Sequence, residues 1–106
     1  MDLELSIDID APPERVWSVM ADVERWPEWT SSMTRVERLD DGPFRLGSTA
    51  RVKQPRMKEL VWKVTDIEPG RQFAWRARGM GADTLALHRI EPRATGGSSV
   101  TLRLEQ

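Results

Sequence analysis

Cysteine and tyrosine are absent from the 106 residues, and histidine occurs once. Without cysteine there can be no disulfide, no thiolate metal site and no thiol nucleophile. One histidine, His88, cannot build a multi-histidine metal centre, and no residue pattern asks for a metal or any other cofactor. No apolar run approaches the ~20 residues that cross a bilayer. The opening MDLELSID is acidic and alternating, unlike a signal peptide, so the expected location is cytoplasmic. An excess of one charge is also lacking, with 16 Lys and Arg against 17 Asp and Glu, mixed along the chain. That leaves no basic stripe for a phosphate backbone, and nucleic acid is not an expected partner. The densest basic cluster, Arg51, Lys53, Arg56 and Lys58, reads as a solvated strand face and turn.

What is present is alternation and tryptophan. A chain of 106 residues can fill one core, so residues 1–106 are expected to form a single domain. Leu3, Leu5, Ile7 and Ile9 alternate with polar residues, the period of a strand with one buried face. Pro12 and Pro13 then open a short helix to about Ala21, with Val16, Trp17, Val19 and Met20 at helical spacing. Asp22 is placed to cap a second short helical piece, and Pro27 should turn the chain at Trp26. After this corner the pattern is strands: Met33 to Leu39, Leu46 to Gln54, Glu59 to Ile67, Arg71 to Arg78, Asp83 to Ile90, and a last one through Val100, Leu102 and Leu104. Asp40-Asp41-Gly42-Pro43, Glu68-Pro69-Gly70 and Thr95-Gly96-Gly97-Ser98 are turns by composition. Gly79-Met80-Gly81 does not lead into a helix and also reads as a turn, not as a phosphate loop.

The order of elements resembles the START-like, or SRPBCC, superfamily of helix-grip proteins, in particular its polyketide cyclase/dehydrase type. The stretches that carry the resemblance are IDIDAPPERVWSVMADVERWPEW, IEPGRQFAWR, and HRIEP with GGSSVTLRLEQ, which together span nearly the whole chain. The resemblance implies an α+β fold: a curved antiparallel sheet of about seven strands, two short helices after the first strand, and a cavity on the concave face. It also implies a long C-terminal helix, whereas this chain stops at Glu105-Gln106, directly after a strand. With that helix missing, Trp29, Trp62, Phe73 and Trp75 would face water unless a homo-oligomer, a ligand or a further segment covered them.

The residues expected to contact a small hydrophobic ligand are Trp29, Trp62, Phe73, Trp75, His88, Met33 and Met57. Tryptophan offers a flat apolar wall, and methionine adapts to irregular shapes, as Met20 and Met80 also could. In the corner, Trp26 is expected to brace the bend and Trp29 to look into the hollow. His88 is the one candidate catalytic residue: either a general acid or base, or a hydrogen-bonded wall residue. No serine or carboxylate is tied to it by spacing. Asp83 reads as a hairpin residue, and Arg51, Arg76 and Arg78 as a solvated outer surface.

Three functions fit. The first is a binding module for a lipid, polyketide or aromatic compound. The second is an aromatase/cyclase-like enzyme that works mainly by positioning its substrate. The third is an interaction domain whose concave face accepts a partner helix.

Overall fold

The alternation of the first nine residues becomes β1 (Asp2–Ile9), and the proline pair that follows opens α1 (Pro13–Ala21). The computed structural model describes residues 2–79 and 81–106; Met80 lies outside them. Pro13 occupies the first helical position, where a missing N–H costs nothing, and the Pro12 carbonyl accepts from Arg15 and Val16. Val16 and Met20, one turn apart, are the helix's buried residues.

The second helical piece is a 3-10 helix, Val23–Glu28, that runs across Pro27 instead of ending at Trp26. Proline is tolerated there because the segment is short and tightly wound; the Trp26 carbonyl accepts from both Trp29 and Thr30 beyond it. Asp22 stands at its start, yet its side chain makes no capping hydrogen bond.

Six strands follow: β2 (Arg35–Arg38), β3 (Thr49–Lys53), β4 (Leu60–Glu68), β5 (Gln72–Gly79), β6 (Ala82–Pro92) and β7 (Ser98–Glu105). They join in the order β1-β7-β6-β5-β4-β3-β2, antiparallel throughout. This is the expected seven-stranded antiparallel sheet of a helix-grip-like fold, and no helix follows β7. The strand expected from Leu46 begins only at Thr49. Gly47 has a positive φ and its N–H bonds to the Val64 carbonyl, so the preceding residues are spent in a turn. At that point β4 carries a register shift between Val64 and Asp66, a bulge that bends the strand.

The core lies between the inner face of the sheet and the helical corner, and it is mainly aromatic. Phe73 meets Trp17 of α1 at 6.3 Å, Trp26 at 6.3 Å and Phe44 of the β2–β3 loop at 4.9 Å. That loop is held by Asp40. Its carboxylate accepts from the Thr49 N–H at 2.8 Å, the Ser48 hydroxyl at 3.2 Å and the Arg38 guanidinium at 3.1 Å. These bonds, the Thr49 N–H foremost, hold the Asp40 carboxyl below its ordinary range.

Candidate functional site

Strand register alone builds two rows of side chains across the inner face. One runs Leu5, Leu102, His88, Phe73; the other runs Leu3, Leu104, Ala86, Trp75, Val64. Ala50 stands opposite Trp62 on the neighbouring pair of strands. Where an alanine sits beside an indole the face has a step, and a cavity of about 420 Å³ occupies that step. Trp26, Trp62 and Trp75 form its aromatic wall, Met33, Met57 and Leu60 one rim, and Leu3, Leu5, Leu102 and Leu104 the opposite side.

Of the residues singled out in the sequence, Trp62, Trp75, His88, Met33 and Met57 line the cavity together. Two do not. Phe73 is fully buried behind His88, where α1 and Phe44 close over it. Trp29 is 59% exposed and lies outside the cavity, while Trp26 is 5% exposed and is part of its wall. Trp26 braces the bend as expected and also takes the place in the hollow expected of Trp29. The inner slot holds a single indole; Trp26 fills it, donating Nε1–H to the Met20 carbonyl at 3.1 Å. Trp29 falls past the end of the 3-10 helix and packs edge-on against the outside of Trp26, 6.2 Å away.

The expected exposure of Trp62, Phe73 and Trp75 is also corrected, because all three are buried. They cover one another, and the corner and Phe44 do the rest. The exposed apolar residues on the β1 and β7 side of the inner face are Leu3, Leu5, Ile7, Leu102 and Leu104, between 39% and 59% exposed. Their parity was visible in the sequence; that α1 and the corner stop short of them was not. Asp83 stays on the outer surface with Arg76 and Arg78, at 3.6 and 3.5 Å.

His88 stacks on Phe73, its cross-strand partner, at 4.3 Å and 11° between planes. Trp26 and Trp75 flank it at 5.5 and 6.1 Å. Nδ1 lies 3.4 Å from the Phe73 carbonyl. A carbonyl only accepts, so Nδ1 carries the proton and Nε2 the lone pair. Burial lowers the imidazole pKa from 6.5 to about 4, against the smaller opposing effect of that hydrogen bond, so the ring is neutral at pH 7. Among the described residues no hydroxyl or carboxylate bonds to His88, and no group of three or more His, Asp or Glu could hold a metal ion. The arrangement offers a mostly apolar cavity in which His88 is a fixed, uncharged acceptor set among the tryptophans, with Ser32, Gln54, Thr84, Arg103 and Gln106 also in the lining. No described helix is long and apolar enough to cross a membrane.

Comparison with known proteins gives a family-level match. The family model described as polyketide cyclase/dehydrase and lipid transport matches residues 1–106. Uncharacterised proteins from Mycobacterium tuberculosis and Mycobacterium bovis are 34% identical over 44 residues, 42% of this chain, and the match spans only 26% of their length. A crystal structure from Deinococcus radiodurans superposes with a TM-score of 0.71 at 26% identity, covering 99% of this chain and 81% of that one. The Aha1 dimer from Colwellia psychrerythraea superposes with a TM-score of 0.71 at 19% identity, over 99% of this chain and 75% of that one, and is similar in fold alone.

Proposed function

Because the chain belongs to the polyketide cyclase/dehydrase and lipid transport family, we propose that it binds a small hydrophobic molecule, a lipid, polyketide or aromatic compound, in the cavity on the inner face of its sheet. The observation that carries this reading is the enclosure of about 420 Å³ walled by Trp26, Trp62 and Trp75. Ligand sites are typically concave and mostly apolar with a few placed polar groups, and their volumes run from roughly 300 to 1,000 Å³. Here the polar group set against the aromatic wall is His88, and Ser32, Gln54 and Thr84 also line the cavity. An indole wall matches flat or branched apolar ligands through contact area, without charge.

The test is titration of tryptophan emission with apolar compounds of increasing size, alongside native mass spectrometry of freshly purified protein. Saturable change at one site per chain is the expected result. A flat response across lipids, polycyclic aromatics and polyketide-like phenols would overturn the reading.

A second reading is supported by the leucine strip. Leu5 and Leu102 are register partners, as are Leu3 and Leu104, so their four exposed side chains form one apolar patch beside the cavity. Such patches on soluble proteins commonly mark an interaction surface. On this reading a second copy of the chain covers the strip. Light scattering should then give twice the chain mass, reverting to a monomer in Leu5→Lys.

A further inference from the structure

Resting on the ligand-binding reading above, we infer that the cavity selects an uncharged aromatic ligand bearing a hydroxyl group, whose O–H donates to Nε2 of His88. Three observations converge on this chemistry.

The first is the orientation of the ring. Nδ1 is committed to the Phe73 carbonyl at 3.4 Å, and stacking on Phe73 fixes the plane. Nε2 at the distal end of the ring is the free acceptor. Among the described residues no donor reaches it, and Arg38 Nε is the one buried side-chain nitrogen or oxygen without a partner. Nε2 is therefore not sealed, and the residue it belongs to lines the cavity. Ser32, Gln54, Thr84, Arg103 and Gln106 also line the cavity, but the His88 ring is the polar group set among the tryptophans of its wall. A lone pair open there is satisfied best by a ligand that brings its own donor.

The second is charge. Among the described residues the other ionisable side chain lining the cavity is Arg103, already engaged by Glu105 at 2.8 Å and close to Asp2 and Glu4. A carboxylate or phosphate at His88 would meet the lone pair of a neutral imidazole, while the ammonium of Lys53, at the rim, is taken up by the Gln54 and Met57 carbonyls. An ammonium group would be buried without a carboxylate, since none lines the cavity. Both ionic classes are disfavoured, and a neutral hydroxyl remains.

The third is the wall. Trp75 stands at the centre of the wall, its ring 5.3 Å from that of Trp26 and 5.7 Å from that of Trp62. Aromatic rings gain from offset and edge-on contact at such spacings, so a fused-ring ligand fits better than a flexible chain.

The experiment is calorimetric titration of the intact chain at pH 7 with 2-naphthol, 2-methoxynaphthalene and 2-naphthoate. These share a ring system and differ in whether they donate, cannot donate, or are charged. The naphthol should bind about five- to tenfold more tightly than the methyl ether, the range of a neutral hydrogen bond. The naphthoate should bind most weakly. In His88→Phe the ratio between naphthol and ether should fall to about one. Independently of that variant, the 15N resonance of His88 Nε2 in the wild type should shift with naphthol and not with the ether. Equal affinity for naphthol and ether in the wild type, or preference for the naphthoate, overturns this inference alone. Failure of all three to bind also overturns this inference, and the ligand-binding reading falls with it only if the lipids and polyketide-like phenols give a flat response as well.

Discussion

The indole N–H of Trp26 donates to the carbonyl of Met20, six residues earlier in the chain, at 3.1 Å. That carbonyl belongs to the last turn of α1, whose C=O groups have no partner within the helix. Trp26 thus ends the helix and closes the aromatic core in one step. Trp26→Ala should lower unfolding free energy by about 3–5 kcal/mol, and Trp26→Phe, which keeps a ring but loses the donor, by about 1–2 kcal/mol. Trp29→Ala, on the exposed side, should stay within about 1 kcal/mol of wild type. Urea denaturation of the three variants tests the order, and an equal loss at positions 26 and 29 would contradict it.

A second expectation concerns pH. The unfolded chain protonates His88 near 6.5, while the folded chain holds it neutral down to about 4. Between those values the unfolded state binds more protons, so stability rises with pH and is lost as pH falls from 6.5 to 4. His88 contributes at most about 3 kcal/mol to that loss, from the size of the shift. In His88→Phe the slope over this window should largely vanish. Asp40 acts in the same direction but in a lower window: its folded pKa lies below the ordinary 3.8, so its contribution is complete above that value and disappears only in stronger acid. Thermal unfolding between pH 7 and 4 separates the two. A slope unchanged in the variant would show that His88 is not the group responsible.

The loop that carries Phe44 depends on Asp40. Replacing its carboxylate with an amide puts an N–H₂ where the Thr49 N–H, the Ser48 hydroxyl or the Arg38 guanidinium now donates. Asp40→Asn should therefore cost about 1–3 kcal/mol, and amide exchange at Thr49 should accelerate. Protection at Thr49 equal to wild type would refute the role given to this side chain.

Gly97 supplies a packing test. A Cβ there would sit 2.7 Å from the backbone carbonyl oxygen of Ile9, which has little freedom to move. The adjacent Ser98 is fully buried and donates its hydroxyl to the Ala11 carbonyl at 2.7 Å. Gly97→Ala should destabilise by about 1–3 kcal/mol through overpacking at this junction. Calorimetry should show a melting temperature several degrees lower, and an unchanged value would mean that the junction yields more easily than its contacts suggest.

Much of this architecture is legible in the sequence, because a sheet with one buried face imposes a period of two. Ala50 and Val52 are buried and Arg51 is exposed, as alternation requires, and Trp62 and Trp75 point inward for the same reason. The α1 boundaries follow from the prolines. What escaped is tertiary. Alternation has no bearing on a 3-10 corner, so nothing local distinguishes Trp26 from Trp29; competition for one slot under α1 decides between them. Asp40 lies in a turn by composition and Phe44 directly follows that turn, and their parts in the loop and in the core arise from residues brought near by folding. Phe73 has the inward parity of a cavity residue, but the helical corner and Phe44 bury it completely.

The sheet order has a temporal side. β1 pairs with β7 and nothing else among the described residues, so Ser6 finds Thr101 at a sequence separation of 95. The other five pairings join neighbours in sequence and can zip as successive hairpins. By closure cost β1 is expected to seat after those hairpins. Until it does, Leu3 and Leu5 are not in place, and the hollow lacks one of its sides.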